Sequence, residues 1–109
     1  MNKFNAKKVK IFGEEFDSKV EGQHWLYLRD LEMKGKIKNL RRQVKFELTP
    51  ADPKAGLRSM SYVADFVYEE NGKTVIEDVK GYKAGAAWDL YNAKKKMLYY
   101  RYGILIREV

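Results

Sequence analysis

The chain has 109 residues, enough for one compact domain and one core, and it carries 22 Lys and Arg against 15 Asp and Glu, a formal charge of +7. That excess of positive charge points to a polyanion, nucleic acid or an acidic membrane surface, while the absence of cysteine excludes disulfide staples and thiolate metal sites and is compatible with a reducing compartment. The lysine-rich start, Met1 to Lys10, lacks the apolar stretch of a signal peptide, and no apolar run is long enough to span a bilayer, so a soluble cytoplasmic protein is expected.

In chain order, Val9 to Phe16 reads as a short strand or an extended lead-in. Asp17-Ser18 then offers a helix N-cap, and Ser18-Lys19-Val20-Glu21 fits a capping box, which predicts a helix starting near Lys19. Val20, His24, Leu28 and Leu31 recur at helical spacing as its core stripe, and Gly35 stands where a left-handed C-cap would end it. Ile37 to Leu48 contains Val44, Phe46 and Leu48 alternating with Gln43, Lys45 and Glu47, the period-two pattern of a half-buried strand. Thr49 to Gly56 holds both prolines and reads as a surface loop.

Tyr62 to Tyr68 and Lys73 to Lys80 are β-rich runs joined through Asn71-Gly72, the signal of a tight hairpin. A two-residue turn there sets Glu70 opposite Lys73, and counting back brings Asp65 opposite Asp78. Like charges so placed repel unless something compensates them, and a divalent cation would. Alternation returns Lys80 to the face of Asp78 and sends Glu77 and Val79 to the other. An aspartate between Val63 and Val67 also interrupts what reads as an apolar strand face. Ala86 to Arg101 is predicted as a second helix with Trp88, Tyr91, Lys95 and Leu98 on one stripe, followed by Gly103 and a strand at Ile104 to Ile106. The expectation is a single α/β domain in the order α-β-β-β-α-β, with a mixed sheet of about four or five strands flanked by helices.

Phosphodiester cleavage needs a polarised phosphoryl oxygen, an activated water and a stabilised leaving oxygen. Asp65 and Asp78 offer hard oxygen ligands for Mg²⁺ or Mn²⁺, and Lys80 is placed to orient the water and offset phosphate charge. Asp65, then Glu77-Asp78-Val79-Lys80 in the next strand, with Glu21 on a preceding helix, resembles the PD-(D/E)XK nuclease superfamily. Its first motif would be Asp65 and its second Asp78-Val79-Lys80, with Ala64 standing where the nominal motif has proline. The strings Phe16-Asp17-Ser18-Lys19-Val20-Glu21, Tyr62-Val63-Ala64-Asp65-Phe66, Asp78-Val79-Lys80-Gly81 and Lys94-Lys95-Lys96 further resemble a small phage and prophage family within it.

The resemblance implies a restriction-endonuclease-like fold and metal-dependent DNA endonuclease activity, with Asp65, Asp78, Glu21 and the Val79 carbonyl as metal ligands and Lys80 as the catalytic lysine. It also implies a phage or prophage gene in a bacterial host cell; double-strand cutting by so small a domain would be easiest as a symmetric homodimer, and neither a membrane nor a nucleotide cofactor is expected. Glu21 is equally explained by the capping box. Arg41, Arg42, Lys83, Lys94, Lys95, Lys96 and Arg101 are the candidate DNA contacts, although Lys94 to Lys96 cannot all face one way on a helix. His24, the only histidine, reads as a core or boundary residue, and no single tyrosine is assigned to nucleic acid. The rival readings are a non-catalytic basic nucleic-acid-binding module of a phage replication or packaging complex, and an interaction protein without nucleic acid whose charges serve solubility alone.

Overall fold

The computed structural model describes residues 7–80 and 85–109. An N-terminal hairpin comes first, β1 (Val9–Ile11) paired antiparallel with β2 (Glu14–Phe16). Helix α1 (Lys19–Met33) follows, then the long strands β3 (Lys38–Thr49) and β4 (Met60–Glu70), β5 (Lys73–Asp78), helix α2 (Gly85–Tyr102) and the short β6 (Arg107–Glu108). The last four strands form one sheet in the order β3-β4-β5-β6, antiparallel except for the parallel β5–β6 pair. This is a mixed α/β domain with a four-stranded mixed sheet and two helices, as the sequence pattern leads one to expect. No helix among the described residues is long and apolar enough to cross a membrane.

The β4–β5 register is the one read from the turn. Glu70 pairs with Lys73 and the ladder runs back to Phe66 and Glu77. Asn71 (φ 52°) and Gly72 (φ 77°) both sit in the left-handed region, the demand of a type I′ turn that this dipeptide meets at least cost. Beyond Phe66 and Glu77 the main-chain pairing gives way to side chains, as described below.

Each face of the sheet carries a helix and its own core. On one side α1 packs Trp25 and Leu28 with Phe16, Ile37, Phe66 and Tyr68. On the other α2 packs Tyr91 and Leu98 with Leu48, Tyr62, Ala64, Val67, Ile76 and Ile106. In β4, Tyr62 and Ala64 face α2 while Phe66 and Tyr68, also even-numbered, face α1. Strand alternation forbids this unless the strand switches sides once between them. In β3, Leu40 packs toward α1 whereas Val44 and Phe46 pack toward α2, so that strand switches too. Val44 pairs with Ala64 and Arg42 with Phe66, so both switches fall at one level of the sheet, at Gln43 (φ 54°) and Asp65.

Four sequence expectations change, and the first is that Val9 to Phe16 is not one extended segment but a hairpin that turns at Phe12 and Gly13, both at positive φ. Val63 and Val67 do not share a face with Asp65 between them: Val63 is exposed and Val67 buried against α2, because the switch intervenes. Val20 is exposed rather than in the core stripe of α1; the buried residues are Glu21, Gly22, Trp25 and Leu28. The β1–β2 hairpin sets this rotation, and a Cβ at Gly22 would come within 2.5 Å of Ile11 Cδ1, so the glycine admits the hairpin against the helix. The last strand falls at Arg107–Glu108, just after the apolar Ile104 to Ile106, of which Ile106 and Ile104 pack on the α2-side core.

Candidate active site

At the level of the face switch, Asp65 and Asp78 take over from the main-chain ladder. The Asp65 N–H donates to Asp78 Oδ1 at 2.9 Å, and the Val79 N–H donates to Asp65 Oδ2 at 2.9 Å. Each aspartate thus caps the other's strand, which holds the two carboxylates at the sheet centre with little freedom. The Tyr62 hydroxyl donates to Asp78 Oδ2. Lys80 Nζ lies 3.3 Å from the same oxygen and 3.8 Å over the ring of Tyr91. The β5 alternation places Lys80 on the face of Asp78, as the sequence leads one to expect.

Glu21 enters from the first turn of α1, and it is buried. The Ser18 hydroxyl accepts from its N–H at 3.1 Å, while Glu21 Oε2 accepts from the Asp17 N–H at 3.0 Å, one residue before the donor that a strict capping box would use. The same carboxylate also bears on the site: Gln43 Nε2 donates to Oε1 at 3.5 Å, and the charge of Glu21 adds to burial and to Asp78 in raising the Asp65 carboxyl. Capping and convergence on the aspartates are therefore compatible.

Three carboxylates gathered behind one lysine carry excess negative charge. Burial, and then the neighbouring charge of Asp78, push the Asp65 carboxyl up to about 8, against the opposing pull of the Val79 N–H. Burial followed by the charge of Asp78 likewise raises Tyr62 well above the usual tyrosine range, so its hydroxyl remains a donor. The donor chemistry and the charge excess fit a hard divalent cation. Among the described residues no three such side chains stand as a ready ligand group. Their oxygens are taken by Tyr62, Lys80 and main-chain N–H groups, which a metal would partly replace.

A second layer was not legible in the sequence. Glu108 Oε2 accepts from the Tyr91 hydroxyl at 2.8 Å and from Lys95 Nζ at 3.1 Å, so a chain of contacts runs from Asp78 through Lys80, Tyr91 and Glu108 to Lys95. On the α1 face, buried Glu77 accepts from the Tyr68 hydroxyl and lies 2.6 Å from His24 Nε2 and 3.5 Å from Arg107. His24 is thus a satisfied boundary residue, as anticipated.

The candidate DNA contacts disperse. Arg42 is committed to the hairpin: its guanidinium lies 3.9 Å over the Phe16 ring and donates to the Glu15 carbonyl at 2.8 Å. Arg101 donates to the Leu48 carbonyl at 2.9 Å. Arg41 and Lys96 are exposed, Lys95 is held by Glu108, and Lys94 lines an open groove of about 700 Å³ with Arg58, Ser59, Ser61 and Leu90. Lys83 lies outside the described residues.

Fold and site together define a small mixed α/β domain with a buried carboxylate cluster at the sheet centre and a lysine beside it. Residues 1–108 match a family described as "Protein of unknown function (DUF1064)", and the chain belongs to that family. Comparison with curated proteins and with solved structures returns no match.

Proposed function

We propose that the chain is a metal-dependent deoxyribonuclease of the PD-(D/E)XK type, hydrolysing phosphodiester bonds as an endonuclease. The observation that carries this reading is the reciprocal locking of Asp65 and Asp78 across β4 and β5 with Lys80 Nζ 3.3 Å from Asp78. Gathering buried Glu21 and Asp78 and half-buried Asp65 around one lysine costs stability even with their hydrogen bonds made, and a role in holding a cation accounts for that cost. Asp65, Asp78, Glu21 and the Val79 carbonyl would hold Mg²⁺ or Mn²⁺, which when bound supplies Lewis-acid polarisation of the scissile phosphate and neutralises charge there.

The chain's own groups do the rest. Lys80 orients the attacking water and screens the phosphate. Tyr62 fixes the Asp78 carboxylate in one rotamer, and the Tyr91 ring under the lysine keeps its ammonium group over the acids. The groove with Arg58 and Lys94, together with exposed Arg41 and Lys96, would contact backbone phosphates without reading sequence. Double-strand cutting by so small a domain calls for a symmetric homodimer. The resemblance further suggests action in the cytoplasm of a bacterial host, from a phage or prophage gene, on branched or junction DNA.

The deciding experiment incubates purified protein with supercoiled, linear, single-stranded and four-way-junction DNA in Mg²⁺, Mn²⁺ or EDTA, beside Asp78→Ala and Lys80→Ala. Cleavage that needs metal and disappears in both variants is expected. Salt-sensitive binding without cleavage on every substrate would replace the enzyme with a nucleic-acid-binding module.

A further inference from the structure

Four tyrosines lie along α2 or at its end, and their environments differ sharply. Tyr91 is buried against Trp88 and Tyr62, and Tyr102 packs on Phe46 and donates its hydroxyl to the Glu47 carbonyl at 2.7 Å. Tyr99 and Tyr100 have no such tie: they are 45% and 84% exposed and meet edge to face, centroids 5.3 Å apart at 78°. An edge-to-face pair leaves a ring face open on each partner. With Leu105, which is 65% exposed, they line a cleft of about 260 Å³ whose remaining walls are Asn92, Lys95 and Lys96. That volume lies just under the roughly 300–1,000 Å³ of sites for drug-sized ligands, the scale of a single base.

We propose that this cleft is a base-stacking subsite that holds an unpaired nucleotide of DNA about two helical turns along α2 from Tyr91 and Lys80, and so makes single-stranded or branched DNA the preferred substrate. Open aromatic faces beside cations are the recognition chemistry of single strands, because every base presents a π-face and every linkage a negative charge. Asn92 adds an amide able to meet a base edge, and exposed Lys96 meets the backbone. Duplex DNA keeps its bases stacked inward and offers the tyrosines nothing.

The cleft is also tied to the site. Lys95 lines it and is bound to Glu108, which holds the Tyr91 hydroxyl beneath Lys80. Tyr91, Lys95 and Tyr99 stand on successive helical turns, and the helical period rotates that row by about 80° between Tyr91 and Tyr99, from core to surface, over about 12 Å. A strand whose base is seated on the tyrosines and whose backbone follows α2 toward Tyr91 would reach the level of Lys80 within a few nucleotides.

This proposal deepens the nuclease reading and rests on it, but its test needs no catalysis. Binding of a fluorescein-labelled oligothymidine and of a blunt duplex is measured by anisotropy in EDTA over a range of salt. Tyr99→Ala and Tyr100→Ala should each weaken oligothymidine binding roughly 10-fold with the salt slope unchanged, while Tyr100→Phe binds as wild type and duplex binding does not move. Lys96→Ala should reduce the single-strand salt slope by about 0.7. Oligothymidine binding unaltered by both alanine variants, or duplex binding that falls by the same factor, would overturn the stacking cleft and leave the nuclease site standing. Wild-type protein that does not retain oligothymidine would overturn the stacking cleft, while the nuclease reading stands or falls on the metal-dependent cleavage assay; tyrosine-dependent binding without cleavage on any substrate would overturn the nuclease and with it the substrate preference, leaving a single-strand-binding cleft.

Discussion

Replacing Asp65 by asparagine should stabilise the metal-free protein and, on the nuclease reading proposed above, abolish metal-dependent cleavage. The amide carbonyl of the new side chain can still accept from the Val79 N–H, which Asp65 Oδ2 accepts at 2.9 Å in the wild type, so the local backbone keeps its bond. What disappears is a carboxyl pushed up to about 8 by burial and by Asp78, against about 3.9 in an unfolded chain. The sign follows from proton binding. Below about pH 4 both states hold the proton and nothing is lost; between about 4 and 8 only the folded state does, so stability falls as pH rises through that window. At about 1.4 kcal/mol per unit the full penalty above pH 8 would exceed 5 kcal/mol; halving it for partial solvent screening and for charge shared with Asp78 leaves on the order of 3 kcal/mol.

At about 4 °C per kcal/mol for a domain of this size, the EDTA-treated Asp65→Asn variant should melt roughly 10 °C above wild type at pH 8 and close to it at pH 4. Differential scanning calorimetry across that range reads the difference. Saturating Mg²⁺ should restore much of it to wild type, about 2.7 kcal/mol at a hundredfold excess over Kd, and little to the variant. Parallel melting profiles of the two proteins from pH 4 to 8 would refute the strained cluster.

The opposite limb belongs to Glu77: its burial would raise it, but hydrogen bonds from His24 and Tyr68 and the charge of Arg107 hold it below the usual glutamate range. The stability it contributes is present above about pH 4.3 and lost on acidification below it, so Glu77→Gln should flatten the acid side of the melting profile below that pH, checked by circular dichroism. Leu98→Ala, at a fully buried position under the sheet, should cost about 2–5 kcal/mol in urea unfolding with the m-value unchanged. Gly72→Ala forces a side chain into φ 77° with open space around it, so backbone strain alone should cost about 1 kcal/mol, read as a shifted urea midpoint.

The parts of this fold that were legible in the sequence are those decided by neighbours in the chain. Asn71-Gly72 admits one turn type, and that turn fixed the meeting of Asp65 and Asp78 thirteen residues apart before any packing was known. The helix start at Ser18 was equally local. What escaped was decided across the chain. Alternation assumes a strand that never turns over, so Val63, Asp65 and Val67 looked like one face until Gln43 on the partner strand switched with them. Val20 rather than Gly22 looked buried because nothing in α1 itself announces the hairpin that leans on it. Tyr62, Tyr91 and Glu108 bear on Asp78 and Lys80 from three separate elements, and no spacing in sequence marks them as companions.

The paired switch at Gln43 and Asp65 also governs when the site can exist. Glu21 comes to it from one helix and Tyr91 from the other, on opposite sides of the sheet, while the two aspartates occupy the seam. A half-assembled chain with only one helix docked holds an incomplete cluster, so a newly made chain would complete the carboxylate site only at the last step of folding. Amide exchange at Asp65 and Val79, whose N–H groups close the seam, should then require opening of the whole domain, so that the seam and the fold are lost together.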